Sequence, residues 1–328
     1  MLCIESELVL PKFKKIRYRN EMDRFGFSAC IRDLLNLSVY TPAFCNWMHG
    51  WHWWPIVEFK YSRYSELRDR NIPTVVNTEE HYKVLRRNGI NAKLGPLPYY
   101  VVSEFYKEFL NTLSPKIEVL VMAQKYTTST ILSAVRKNLI SVSDLEKLLL
   151  RLMEMGVHNS SIVVCLYNED MRLQEIRSLI YFYQVRWVCG ASPDDENGLL
   201  RMNSIFKQSS LVVSNTIGSF VPYSMLHTRF CLIAPIQDVL PKHCKITDQE
   251  HIWHKYAEKL YIEQNFSNLV SSQLNTVIQD LEYAHKELGS EYMMSLEEIS
   301  KLFGWSSRLE MAKNYLGWKG GNWIAKFR

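Results

Sequence analysis

The middle of the chain alternates between short apolar runs and amphipathic segments. Five apolar runs have the length of strands and lie at residues 117–122, 161–166, 185–189, 211–213 and 230–234. The segments between them have the apolar period of helices and lie at residues 143–155, 171–183, 197–207 and 219–226. Strands that are apolar on both faces and alternate with helices are typical of a parallel sheet covered on both sides. The pattern predicts a doubly wound α/β domain, with Ser143 as the N-cap of its first helix.

The flanking regions repeat this pattern in a weaker form. The predicted N-terminal elements are a helix, a short strand, a helix capped by Thr78 and a strand that leads into a proline-rich loop, at residues 21–37, 75–76, 78–88 and 91–97. The predicted C-terminal elements are three helices, at residues 249–263, 270–288 and 296–303. We therefore predict an N-terminal α/β domain, a Rossmann-like domain and a helical extension that packs on both, over residues 1–114, 115–245 and 246–328.

Composition narrows the class of protein. The 328 residues are 47% hydrophobic and 22% charged, which is typical of a folded chain long enough for two cores. Glu5 and Glu7 interrupt the early apolar run, and no stretch has the roughly 18 to 20 apolar residues of a spanning helix. The seven cysteines include no C-x-x-C pair, which is typical of a reducing compartment. We expect a cytoplasmic protein, or one held peripherally on the inner membrane.

Charge and metal-ligand spacing exclude several partners. The net charge of +5 favours anionic ligands such as nucleotides or lipid phosphates. Only residues 12–19 form a dense basic cluster, and no nucleic-acid-binding motif is present, so we expect no nucleic-acid partner. We also expect no metal, because the spacing of His243, Cys244, His251 and His254 fits no standard zinc site.

The strongest candidate site is a polar loop that leaves the strand at 211–213. It contains Ser214, Asn215, Thr216, Gly218 and Ser219. In an open α/β sheet, ligands bind where the carboxyl ends of strands meet the following helices. Hydroxyls, an amide and backbone N–H groups there suit a phosphate, whereas the alternative is plain helix capping by Thr216 or Ser219. The loop is neither a Walker A motif nor a G-x-G-x-x-G fingerprint.

A second candidate site is the aromatic stretch 46–54, in which His49 and Gly50 lie among four tryptophans. Histidine can accept a proton from a hydroxyl near neutral pH, and indole rings offer flat faces to sugars. The alternative is an aromatic core loop with a structural histidine. Glu169 and Asp170 follow the strand at 161–166 and can act as a base or hold a ribose, or can simply be acids at a helix start.

The segment 185–236 resembles the donor half of GT-B glycosyltransferases that build bacterial surface polysaccharides. The resemblance lies in a strand, the run Ser214 to Ser219, a helix and a strand that ends in proline. Residues 73–77 and 88–99 resemble the acceptor half of the same group. The resemblance implies two Rossmann-like doubly wound domains that face a cleft, with donor contacts from Asp195, Glu196 and Arg201. The glutamate motif of many retaining members is absent, so retention is not supported.

The resemblance implies an inverting, metal-independent glycosyltransferase with no cofactor beyond a nucleotide-sugar donor. The acceptor would be a surface glycan or a lipid-linked oligosaccharide precursor, with His49 as first choice of general base and Glu169 as second. The basic aromatic tail from residue 318 either contacts anionic lipid or packs back across the domains. Two alternatives stay open, namely a nucleotide-sugar 2-epimerase of the same fold and a non-catalytic glycan- or nucleotide-binding protein.

Overall fold

The computed structural model describes residues 3–16, 21–37, 42–51, 72–122, 142–167, 170–233, 270–271, 279–307, 309–313 and 316. Within these ranges the chain forms two parallel β-sheets with helices packed against them, which confirms the predicted α/β class. Glu169, the loop 123–130, the predicted helix 249–263 and the tail from residue 318 lie outside the described residues. No helix within these ranges is long and apolar enough to cross a membrane.

The N-terminal region does not form the single helix predicted for residues 21–37. A 3-10 segment (Glu21–Gly26) precedes helix α1 (Phe27–Leu34), and Phe25 and Gly26 have φ angles of +58° and +81°. A β-carbon on Gly26 would lie 1.8 Å from the carbonyl oxygen of Glu196, so only glycine permits this approach. The chain therefore changes direction at Gly26.

The smaller sheet follows α1. Its strands β1 (Asn46–Trp47), β2 (Thr74–Val76) and β3 (Ala92–Leu94) pair in parallel in that order. Helix α2 (Glu79–Arg87) connects β2 to β3, and the side chain of Thr78 caps it as predicted by accepting the His81 N–H at 3.2 Å. β2 and α2 agree with the sequence prediction to within one residue, whereas β3 ends three residues earlier than predicted and β1 was not predicted.

Helices α3 (Pro98–Phe105) and α4 (Lys107–Asn111) follow β3, where the sequence predicted only a proline-rich loop. Pro98 is the first residue of α3. Proline is tolerated at this position because the first N–H groups of a helix have no partner within the helix. The prediction of a loop at Pro98 was wrong because this proline begins a helix.

The larger sheet has six parallel strands. They are β4 (Ile117–Met122), β5 (Ile162–Leu166), β6 (Arg186–Cys189), β7 (Ser209–Ser214), β8 (Arg229–Ile233) and β9 (Val270–Ser271). Their order is β6-β5-β4-β7-β8-β9. The chain therefore runs outward from β4 to β6 and then returns to the other side of β4 to form β7. The strand order reverses between β4 and β7, and this is where such sheets bind ligands.

Helices cover both faces of the larger sheet. They are α5 (Val142–Glu154), α6 (Gln174–Phe182), α7 (Gly198–Lys207) and α8 (Phe220–Met225). Leu120 and Val212 join one apolar cluster with residues of α7 and α8, whereas Val121 and Val213 join another with residues of α5 and α6. This alternation explains why the strands are apolar on both faces. Helix α5 begins at Val142, so Ser143 lies inside the helix and the N-cap predicted there is wrong.

The C-terminal helices differ from the prediction in one place. The predicted helix 270–288 is wrong, because residues 270 and 271 form β9 and helix α9 (Leu281–Leu288) begins only after Asp280. The Asp280 carboxylate accepts the Tyr283 N–H at 2.8 Å and so caps α9. Helix α10 (Leu296–Phe303) has the predicted bounds, with a capping box between Ser295 and Glu298.

One apolar cluster contains residues from both sheets. It includes Trp47 and Val75 of the smaller sheet and Leu120 of the larger one, together with Phe303 of α10. Trp47 and Phe303 are in edge-to-face contact, with ring centroids 6.1 Å apart. The two sheets are therefore joined through buried side chains, and the polar loops at their strand ends are held close together.

Candidate functional site

Ser214 lies at the point where the strand order reverses. It is the last residue of β7, and its hydroxyl donates to the carbonyl oxygen of Met122, the last residue of β4, at 3.1 Å. The Ser214 hydroxyl oxygen also accepts the Thr216 N–H at 3.3 Å. Ser214 is fully buried, and Thr216 nearly so. Ser214 therefore fixes the start of the loop, and Asn215, Gly218 and Ser219 are the half-buried members that a ligand can reach.

Ser219 faces the smaller sheet. It immediately precedes α8, but its side chain caps no N–H group of that helix. Its hydroxyl oxygen instead accepts the backbone N–H of Trp51 at 3.0 Å. The alternative that Ser219 serves as a plain helix cap is therefore wrong. A hydroxyl that accepts one hydrogen bond can still donate its own proton to a ligand.

The loop His49-Gly50-Trp51 follows β1 and contacts α8 at two points. Besides the bond from Trp51, the hydroxyl of Tyr223 donates to the carbonyl oxygen of His49 at 2.8 Å. A β-carbon on Gly50 would lie 3.2 Å from the hydroxyl oxygen of Ser219, which leaves little room for a side chain. The two strongest predicted sites, separated by 168 residues at the Trp51–Ser219 bond, are thus brought into direct contact.

Glu287 on α9 completes this cluster and was not predicted. Its carboxylate accepts the indole N–H of Trp51 at 2.5 Å, and its backbone carbonyl accepts the side-chain amide of Asn77 at 2.7 Å. Burial raises the pKa of Glu287, and the bond from Trp51 partly opposes this effect. The side-chain oxygen of Asn77 is buried and has no hydrogen-bond partner among the residues that the structure describes. No local pattern links these residues, because 236 positions separate Trp51 from Glu287.

Two stacked tyrosines pack next to the cluster. Tyr99 of α3 and Tyr223 of α8 lie parallel, with ring centroids 3.8 Å apart and an interplanar angle of 2°. Both are buried, and burial raises the pKa of both phenols well above its ordinary value. They therefore stay neutral, and the Tyr223 hydroxyl hydrogen-bonds both to the His49 carbonyl oxygen and to the Ser219 side chain.

Asp195, Glu196 and Arg201 contact the N-terminal arm, by which we mean residues 3–16. The guanidinium of Arg201 forms an ion pair with Glu5 at 2.6 Å and also donates to the Cys189 carbonyl oxygen at 2.9 Å. Glu196 forms an ion pair with Lys14 at 2.6 Å. The buried carboxylate of Asp195 accepts the Lys14 N–H at 3.0 Å, and burial raises its pKa. In this arrangement the three side chains hold the arm on α7.

Asp170 lies at the carboxyl end of β5 and is fully buried. Its carboxylate accepts the backbone N–H of Tyr167 at 3.3 Å, which closes the turn before α6. Its neighbour Glu169 lies outside the described residues. Among the residues that the structure describes, no group of three or more His, Cys, Asp or Glu side chains could hold a metal ion.

The cluster around Ser219 combines an indole, hydroxyls, an amide and one buried carboxyl group with the backbone of His49, whose ring lies 6.5 Å from that of Phe25. Such a set can bind an anionic, hydroxyl-rich ligand and exchange a proton with it. Comparisons with protein families, with curated proteins and with solved structures found no match to this chain.

Proposed function

We propose that the chain is a GT-B-like glycosyltransferase, with two Rossmann-like units, that moves a sugar from a nucleotide donor to a surface glycan or its lipid-linked precursor. The observation that supports this most is the bond between Trp51 and Ser219. It joins the loop that follows β1 of the smaller sheet to the loop that follows β7 of the larger sheet, where the strand order reverses. A donor bound at the second loop would lie beside an acceptor bound at the first.

In this proposal the loop Asn215 to Ser219 holds the donor phosphate through hydroxyl and backbone N–H groups. Ser214 positions the loop, because its hydroxyl donates to the Met122 carbonyl oxygen at the end of β4 and accepts the Thr216 N–H. His49 takes the proton of the acceptor hydroxyl, whose oxygen bonds to the anomeric carbon with inversion. The bond from that carbon to the phosphate oxygen breaks, and the nucleotide leaves with its phosphate and the bonding electron pair. Asp195, Glu196 and Arg201 receive no donor contact in the proposal, because their side chains hold the arm.

The experiment is titration calorimetry with UDP, GDP, CMP and dTDP on the wild type and on Ser219→Ala. Loss of a hydrogen bond to a charged phosphate typically costs about 1.5–3 kcal/mol, so we expect the best nucleotide to bind roughly 10- to 150-fold more weakly. Ser300→Ala on α10 is the matched control, because it removes a nearly buried serine hydroxyl far along the chain.

Three outcomes would overturn parts of the proposal. Equal nucleotide affinity in wild type and a folded Ser219→Ala variant would remove the donor site from this loop. Turnover of a nucleotide sugar to its epimer without any acceptor would replace the transferase with an epimerase. Loss of all activity in EDTA, with recovery in Mn²⁺, would contradict the metal-independent mechanism.

A further inference from the structure

A cavity of about 450 Å³ opens at the edge of the larger sheet opposite the Ser219 loop. It lies at the amino ends of β7 and β8, beside the end of α7, with Leu113 and Pro115 on one side. Its polar lining consists of Lys207, Ser209, Ser210, His227, Thr228, Arg229 and Gln279. The volume falls within the range of small-molecule sites. We call it the basic cavity.

The basic cavity has positive charge without compensation. Lys207 and Arg229 both line it, and none of its lining residues is acidic. Neither cation forms an ion pair with any residue in the described part of the chain. Burial, with the charge of Lys207, lowers the pKa of His227 to about 3, so this ring is neutral. Two cations without a carboxylate partner favour an anionic ligand.

The end of α7 does not neutralise these cations. The last carbonyl oxygens of a helix carry partial negative charge. Here the backbone carbonyl oxygen of Gln208 already accepts the Lys116 and Ile117 N–H groups at 2.8 and 2.9 Å. The Ile205 oxygen accepts the Ser209 hydroxyl at 2.8 Å. The Arg229 Nε–H itself donates to the Ser210 carbonyl oxygen at 3.4 Å, so the terminal nitrogens of Arg229 and the Lys207 ammonium are the groups that can bind a ligand.

Uncharged donors accompany the cations. The side chains of Ser210, Thr228 and Gln279 form no hydrogen bond with any residue in the ranges that the structure describes. Thr228 is only 6% exposed, so its hydroxyl is held at a fixed place in the wall. Leu113 and Pro115 add an apolar surface. Cations and hydroxyls suit phosphate oxygens, and the apolar side suits an organic group.

We propose that the basic cavity binds a small organic phosphate through Lys207 and Arg229. This site is separate from the proposed donor site. Ser209 and Ser214 are the first and last residues of β7, and a strand of this length spans about 17 Å at roughly 3.3 Å per residue. The inference does not depend on the proposed transferase, because it rests on residues at the other end of the strand.

The test is titration calorimetry of the full chain with inorganic pyrophosphate at constant ionic strength. The wild type should bind pyrophosphate at the basic cavity, and Lys207→Gln/Arg229→Gln should weaken that binding at least tenfold. Lys147→Gln/Arg151→Gln is the charge-matched control on the exposed face of α5 and should bind as the wild type does. Ser219→Ala should retain the binding, since it alters only the donor loop.

Two results would overturn the inference. One is wild-type affinity and stoichiometry in the Lys207→Gln/Arg229→Gln variant. The other is an equal loss in the control pair, which would reduce the effect to net charge. Ser210→Asp provides a second variant if the double substitution does not fold. The carboxylate that Ser210→Asp introduces beside both cations should also abolish pyrophosphate binding. A thermal melting curve of this variant shows whether it is folded.

Discussion

At the scale of single residues, His49 is the side chain on which the proposed chemistry depends most. A general base typically contributes about a hundred- to ten-thousand-fold in rate. We therefore expect His49→Ala to lower kcat within that range, while nucleotide affinity, set by the Ser219 loop, stays nearly constant. Single-turnover rates and nucleotide titrations on the same preparations measure the two quantities.

The His49 variant has two controls. His158→Ala removes an exposed imidazole before β5 and should leave the rate unchanged. Glu169→Gln tests the second choice of base. A large loss of rate in Glu169→Gln, with a small one in His49→Ala, would transfer the base role to Glu169. A lower melting temperature with an unchanged rate in His49→Ala would make His49 a structural residue.

Glu287 gives a prediction for the dependence of stability on pH. Because burial raises its pKa in the folded state, the folded protein favours the protonated form. Its stabilising contribution is therefore complete below the ordinary value of 4.5 and is lost as pH rises through the raised pKa. Each unit of difference between folded and unfolded pKa corresponds to about 1.4 kcal/mol.

Glu287→Gln is neutral at every pH and keeps an oxygen that can accept the Trp51 N–H. We expect this variant to be more stable than the wild type at pH 8, with a difference that shrinks as pH falls towards 4. Urea unfolding at several pH values measures it. Glu282→Gln, on the exposed side of the same helix, should show no such trend, and a pH-independent difference at Glu287 would contradict the argument.

At the scale of elements, the strands of the larger sheet could be predicted and several helix starts could not. β4, β5 and β8 are apolar on both faces, so their residues identify them without knowledge of their neighbours. The start of α9 depends on the Asp280 cap, which is not distinguishable by pattern from other acids nearby. The turn at Gly26 depends on contact with Glu196, which lies 170 positions away.

The candidate site divides in the same way. Ser214 to Ser219 and His49 could be found because hydroxyls, glycine and aromatic residues cluster within a few positions. Glu287 and Asn77 could not, since their roles depend on contacts between distant parts of the chain. The resemblance implied donor contacts from Asp195 and Arg201, but sequence alone does not reveal that the arm returns to cover them.

At the scale of the whole molecule, Trp51 takes part in two polar contacts that join distant parts of the chain. Trp51 donates to Ser219 through its backbone and to Glu287 through its indole. A ligand at Ser219 therefore acts on the same residue that α9 holds. The division of the chain at residue 114 stays a prediction, because one apolar cluster includes side chains from both sides of it.

The N-terminal arm has a consequence for self-association. β6 is an outer strand of the larger sheet, and Cys3 forms a parallel bridge to Trp187 while the Ile4 N–H donates to the Trp187 oxygen at 3.1 Å. An uncovered outer strand is a template for pairing with another chain. Ile4 is 1% exposed, whereas Val9 in the same arm is 46% exposed.

Ile4→Asp should therefore release the arm and produce concentration-dependent aggregates in light scattering, while Val9→Asp stays monodisperse. Equal scattering from the two folded variants would show that the arm does not shield β6 from intermolecular pairing.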